Sequence, residues 1–278
     1  MHRALALGAV EVSVADLGRS ITYYTDVIGL RVLHSGPDAA HLGVPGRTLV
    51  VLRSRPGAAP APREATGLSH FAPQVPDRAD LDRFVTHYLE LGLKYQLADH
   101  SLAHSIYVTD PDGHGIEITT PRPREQWEWA GDQPAIVARP MLPADFTTGE
   151  PFTGLPRDTT MGHVQLKVSD AGLADTERFY CDLIGTTVQG RLGDIFLAVG
   201  VTEHRALLVL TNRFSPVGGG GAAEDDARLL GVELHCPDVA ALQARLTAAG
   251  YPHLADAQGL LVNDPSGNTL RFRPPPVS

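Results

Sequence analysis

One pattern recurs four times along the 278 residues and fixes most of what this chain can become: a short strand, a helix closed by glycine, then three more strand-like runs. Val10-Glu-Val-Ser-Val-Ala-Asp16 runs into Ser20-Ile-Thr-Tyr-Tyr-Thr-Asp-Val-Ile-Gly29, and Val164-Gln-Leu-Lys-Val-Ser-Asp170 runs into Thr176-Glu-Arg-Phe-Tyr-Cys-Asp-Leu-Ile-Gly185. Leu68-Ser-His70-Phe-Ala precedes a helix expected over residues 79–91 and Gly92. Val232-Glu-Leu-His-Cys precedes one expected over 239–249 and Gly250. Strict alternation predicts strands with one apolar face. The aspartates stand where a helix N-cap is wanted, and the glycines where helices stop. Four β-α-β-β-β modules result, spanning residues 6–54, 66–120, 160–212 and 229–275. They predict an α+β protein with two cup-shaped mixed sheets and the helices outside. In sequence the modules fall into two pairs, 1–125 and 155–278, separated by a Pro-rich connection that contains Pro121-Arg-Pro-Arg-Glu-Gln-Trp127.

Composition narrows the partners. A net charge of -9 without any Lys/Arg run argues against nucleic acid or an anionic membrane surface. No apolar stretch approaches a membrane span, and the first residues turn polar too soon for a signal peptide. Cys181 and Cys236 are the only cysteines, so no disulfide framework is needed and a reducing cytoplasm is the expected location. Pro216-Val-Gly-Gly-Gly-Gly follows a strand, but it opens no helix and carries no lysine. It reads as a flexible loop, not a phosphate cradle.

Strand phase decides which side chains face the inside of each cup. In the third module Val164, Leu166 and Val168 form the helix-facing side, leaving His163, Gln165 and Lys167 on the concave side. The same phasing turns His70, Ala72 and Gln74 inward in the second module, Ala9, Glu11 and Ser13 in the first, and Gly231, Glu233 and His235 in the fourth. Two closing strands share one introductory turn: Asp110-Pro-Asp-Gly-His-Gly-Ile-Glu117-Ile and Asp264-Pro-Ser-Gly-Asn-Thr-Leu-Arg271-Phe. Ile116 and Ile118 pack on the helix, so Glu117 faces the cavity; Leu270 and Phe272 leave Arg271 there. His70, Glu117 and His163 thus occupy matching slots of consecutive modules. Two imidazoles and one carboxylate with open positions is the donor set of non-haem Fe(II) sites.

At these residues the chain resembles the vicinal oxygen chelate superfamily, and within it the two-domain extradiol catechol 2,3-dioxygenases. The likeness rests on Asp16-Leu-Gly-Arg-Ser-Ile-Thr-Tyr-Tyr, Gly67-Leu-Ser-His70-Phe-Ala, Tyr107-Val-Thr-Asp-Pro-Asp-Gly-His-Gly-Ile-Glu117-Ile, Met161-Gly-His163-Val-Gln-Leu and Asp264-Pro-Ser-Gly-Asn. It implies that His70, Glu117 and His163 hold Fe(II), or Mn(II). Modules two and three then pair around the metal, and one and four around a metal-free cavity. It also implies a catalytic role for Tyr107, and it places His100 near the slot of a supporting histidine. Relatives carry a run of three histidines late in the third module, where this chain reads His204-Arg205-Ala206.

The reaction this implies is extradiol cleavage of a small catechol-type aromatic by dioxygen, in a homo-oligomer. His100, His104 or His204 serves as acid–base, since imidazole titrates near neutral pH. The alternatives are a glyoxalase-like isomerase or lyase, whose sites use a second carboxylate, and a non-catalytic small-molecule-binding protein. In the metal-free pair, Arg271 is expected to stand in for the cation by accepting both Glu11 and Glu233 in its fork of donors.

Overall fold

In a computed structural model of the chain, the described residues are 5–146, 150–171, 173–202, 205–215 and 219–276. The first module comprises β1 (Ala6–Val14), α1 (Leu17–Thr22), β2 (Arg31–Ser35), β3 (Ala39–Val44) and β4 (Arg47–Ser54). The second comprises β5 (Gly67–Gln74), α2 (Arg78–Glu90), β6 (Gln96–Asp99), β7 (Ala103–Thr109) and β8 (Gly115–Pro121). A short strand, β9 (Arg139–Pro140), lies in the connection. The third has β10 (Thr160–Lys167), α3 (Ala174–Glu177), β11 (Thr187–Leu192), β12 (Phe196–Gly200) and β13 (Leu208–Thr211). The fourth has β14 (Leu229–His235), α4 (Val239–Ala248), β15 (Leu254–Asp256), β16 (Gly259–Asn263) and β17 (Thr269–Arg273).

Each sheet joins modules that are not arranged as sequence halves. One runs β15-β16-β17-β14-β1-β4-β3-β2, uniting the fourth module with the first. The other runs β9-β6-β7-β8-β5-β10-β13-β12-β11, uniting the second with the third. This is the pairing that the resemblance implied, with His70 and Glu117 in one module and His163 in the other. The seams are antiparallel, β1 with β14 and β5 with β10. Inside each module the first and last strands run parallel, as β5 does with β8.

Helix-facing residues are where alternation placed them. Val10, Val12, Val14, Val164, Leu166, Val168, Ile116, Ile118, Leu270 and Phe272 are all fully buried. On α2 the buried Leu81, Phe84, Val85 and Tyr88 follow an i, i+3, i+4, i+7 stripe. Burying each such side chain contributes about 1.5–3 kcal/mol. Asp16, Asp77 and Asp238 cap α1, α2 and α4 by accepting backbone N–H groups of Arg19, Asp80 and Ala241. The glycines ending the four helices, Gly29, Gly92, Gly185 and Gly250, all have φ between 64° and 90°, the left-handed stop a side chain would resist.

The first and third helices differ from the simple expectation. Only one or two α-turns form before the chain widens into π-helical segments, Tyr23–Val27 and Arg178–Ile184. Each widened turn carries a buried tyrosine to an aspartate of the next module. The Tyr24 hydroxyl donates to Asp110 and the Tyr180 hydroxyl to Asp264, both at 3.0 Å. Those aspartates also close the repeated turns. Asp110 accepts the N–H groups of Asp112 and His114, and Asp264 those of Ser266 and Asn268. The first module is therefore tethered to the second, and the third to the fourth, helix to turn, while the sheets pair across them. No helix among the described residues is long and apolar enough to cross a membrane.

Candidate metal centre

Tyr107 and Glu117 are direct cross-strand neighbours on β7 and β8, and His70 sits on β5 beside them. The approach of β8 to β5 depends on Gly115, where a Cβ would meet the Ser69 carbonyl oxygen at 2.2 Å. Across the seam, β10 brings His163 opposite Ala72 and Gln165 opposite His70. The outcome is a nearly equilateral triangle of donor atoms. His70 Nε2 stands 2.9 Å from Glu117 Oε2 and 3.1 Å from His163 Nε2, and His163 Nε2 stands 3.2 Å from the same oxygen.

The triangle suits a divalent cation. Donors about 2.1 Å from one ion and at right angles to each other are about 3.0 Å apart, whereas tetrahedral angles would spread them to about 3.4 Å. The spacing is that of one octahedral face. Glu117 Oε2 is also buried and lacks any well-directed hydrogen-bond donor. Among the described residues this is the one cluster of three or more His, Cys, Asp or Glu with such spacing. Burial drives the His70 pKa down, which keeps the ring neutral and its nitrogen available as a ligand. Burial would raise Glu117, but His163 and then His70 overcome this and hold the carboxyl well below its usual range. His163 is the most exposed of the three side chains, at 23% against 10% for His70 and 3% for Glu117, so solutes reach the triangle past the third module.

Tyr107 flanks the triangle, its ring 5.3 Å edge-on from that of His70. Its hydroxyl donates to His100 Nε2 at 2.7 Å, and His100 Nδ1–H donates to the Val137 carbonyl at 2.8 Å. The carbonyl can only accept, so the network assigns the His100 tautomer. Burial, followed by the charge of Glu117, raises the Tyr107 pKa and keeps the phenol protonated. The turn that presents His100 is itself fixed. Ser101 is fully buried with φ of 67°, Asp99 accepts its N–H at 2.7 Å, and Arg122 pairs with Asp99 at 3.0 Å.

The other two acid–base candidates fare differently. His104 lies on the opposite face of β7 from Tyr107, with the helix-facing Ile106 and Val108, so it is not brought to the triangle. Arg78 at the start of α2 donates to its Nδ1 at 2.7 Å. Its assignment as acid–base is corrected on that ground: an odd number of steps along a strand reverses the face. His204 lies outside the described residues. What strand phase could not reveal is the Val137 carbonyl, because a backbone acceptor in an aperiodic connection leaves no side-chain signature.

His104 carries a stability consequence. Its pKa is lowered from the usual 6.5, by burial first and the Arg78 charge second. The unfolded chain therefore takes up this proton before the folded one. Its stabilising contribution is complete above the usual value and is lost as pH falls from there toward the depressed value. Replacing His104 with Gln is expected to flatten the fall in Tm as pH is lowered through the usual histidine value. An unchanged slope would contradict the assignment.

The expected Arg271 fork is not formed. Arg271 pairs with both oxygens of Asp256, at 3.1 and 3.3 Å, whereas Glu233 takes Arg273 at 3.1 Å and His235 at 3.0 Å, and Glu11 takes Arg53. The strand periodicity explains the swap. Arg273 shares the face of Arg271 and serves Glu233, while Asp256 on the β15–β16 hairpin offers Arg271 a two-oxygen partner. Asp256 is 45% exposed, so that pair contributes little to stability.

Comparison with known proteins agrees with this architecture. The profile of the Glyoxalase/Bleomycin resistance protein/Dioxygenase superfamily matches residues 6–118. A catechol-2,3-dioxygenase of Bacillus subtilis (strain 168) is 30% identical over 283 residues, covering 98% of each chain. The chain belongs to this superfamily. Among solved structures, a putative dioxygenase from Bacillus subtilis subsp. subtilis str. 168 superposes with a TM-score of 0.70 at 15% identity, over 100% of this chain and 87% of the other. Glyoxalase I from Zea mays gives 0.62 at 18% identity over 97% and 92%. At those identities the structural likeness speaks for the fold alone.

Proposed function

We propose that the protein is an Fe(II)-dependent extradiol dioxygenase that opens a small catechol-type ring beside its hydroxyl pair. The observation that carries the reading is the one-carboxylate, two-imidazole triangle with the Tyr107–His100 pair on its flank. Likeness along the whole chain to a catechol-2,3-dioxygenase supports it. Bound iron would supply Lewis acidity that favours the catecholate and a centre for dioxygen chemistry. Neutral imidazoles and a single carboxylate leave net positive charge on such a centre to attract an anionic substrate. Tyr107, whose hydroxyl proton points at His100 Nε2, accepts a hydrogen bond from a ring hydroxyl and so orients it. His100 Nε2 takes up a proton through Tyr107 while the Val137 carbonyl holds its other nitrogen. A glyoxalase-type site wants a further acid, and β13 offers Leu208, Val209, Leu210 and Thr211 instead.

The test is oxygen uptake by protein loaded anaerobically with Fe(II), across a panel of catechols, with product followed by its visible absorbance. Turnover is expected for at least one catechol. Absence of oxygen uptake and colour from protein carrying one iron per chain would overturn the reading. Tyr107→Phe is expected to retain its iron and lose about 100-fold or more in kcat, the usual scale for a displaced proton-transfer group. An unchanged kcat would remove Tyr107 from the chemistry.

A further inference from the structure

Between the two sheets lies a cavity of about 570 Å³ that shares no lining residue with the donor triangle. Its charge is one-sided. Arg63, Lys167 and Arg228 line it, with Asp112 as the sole carboxylate among the lining residues. Asp112 is already spent, because it accepts from Arg19 at 2.7 Å, the Ser20 hydroxyl at 3.0 Å and the Ala15 N–H at 3.1 Å. None of the three cations forms an ion pair among the described residues. Lys167 Nζ reaches only the Arg63 carbonyl at 3.1 Å, and Arg228 reaches the carbonyl of its neighbour Leu229 at 3.4 Å. Arg228 Nε is buried with no hydrogen-bond partner among the described residues. Glu64 acts on Lys167 from outside the lining without forming an ion pair, so the three cations share one hollow with no carboxylate bound to them among the described residues.

We propose that this cavity binds a small organic oxyanion, a carboxylate or a phosphate. Arg63 and Phe214 share one wall, the guanidinium carbon 5.0 Å from the ring centroid, so a planar apolar body could lie along that wall while its anionic end meets Lys167 and Arg228. Burial depresses the Lys167 pKa, which an anion in the cavity would restore. Lys167 is four residues along β10 from His163, roughly 13 Å at strand rise, so the ligand sits apart from the donor triangle on the same strand.

The experiment is calorimetric titration of the metal-free full chain with inorganic phosphate and separately with benzoate, against chloride at matched ionic strength. Saturable binding of phosphate, benzoate or both is expected, and which one binds assigns the phosphoryl or the carboxylate source. Lys167→Gln and Arg228→Gln are each expected to weaken binding about tenfold. The exposed Arg63→Gln serves the same purpose should the interior variants fold poorly. Benzoate held at the donor triangle instead would lose affinity in His163→Ala and not in these variants, and that result overturns the proposal. So does the absence of saturation by both anions, or affinities unchanged in all three cavity variants. Iron content and oxygen uptake stay as in the parent whichever way the titration falls, so the dioxygenase reading is judged separately.

Discussion

Glu117→Ala is expected to take the iron content of reconstituted protein from one per chain to near zero and to abolish oxygen uptake. Even groups that merely support a ligand cost 10–100-fold in metal affinity when changed, so loss of the only anionic donor should exceed about 100-fold. Two imidazoles 3.1 Å apart would be left facing a hollow with no carboxylate to balance a dication. His163→Ala should weaken binding similarly. Because His163 is the more open position, added imidazole is expected to restore part of the metal content there and none in Glu117→Ala. Metal analysis after anaerobic desalting reads both. One equivalent of iron retained by Glu117→Ala would mean the metal sits elsewhere.

The largest stability loss is expected from Asp110→Ala. The carboxylate accepts from three groups inside the protein: the Tyr24 hydroxyl and the N–H groups of Asp112 and His114. Each donor left without an acceptor costs about 1–3 kcal/mol, so the substitution should cost about 3 kcal/mol or more. Tyr24→Phe, which removes one contact and leaves the turn intact, should cost about 1 kcal/mol. Urea unfolding curves measure both. A loss below about 1 kcal/mol for Asp110→Ala would show that the helix-to-turn tether is not what joins the first module to the second.

The legible part of this structure was legible because strands have a period of two. Val164, Leu166 and Val168 announce a buried face, and that alone turns His163 to the other side. The same logic, applied to Ile116 and Ile118, turned Glu117 inward. Glycine after each helix marked the module repeat, and the resemblance, applied to the modules that carry ligand-type residues, implied which sheets they form. What escaped was set by contacts remote in sequence. The π-helical widening at Tyr23–Val27 follows the reach of Tyr24 to Asp110, 86 residues away. Phase contained the answer for His104 as well, since it stands three steps from Tyr107 on one strand and so on the opposite face. Arg271 found Asp256 because strand phase names a face and not the partner chosen on it.

The order of the modules has a temporal side. The four units close like nested brackets, second with third inside first with fourth. During synthesis the inner sheet has all of its seam once β10 has emerged, and the three donor residues lie within it. The outer seam waits far longer, since Val12 of β1 pairs with Leu229, 217 residues further on. Until then the first strand made keeps one bare hydrogen-bonding edge, the kind of edge that recruits neighbouring chains. The part of the protein that holds the donor triangle is thus completed early, and the part that begins the chain is completed last. A lesion confined to the final module would leave the donor set whole and the molecule prone to aggregate.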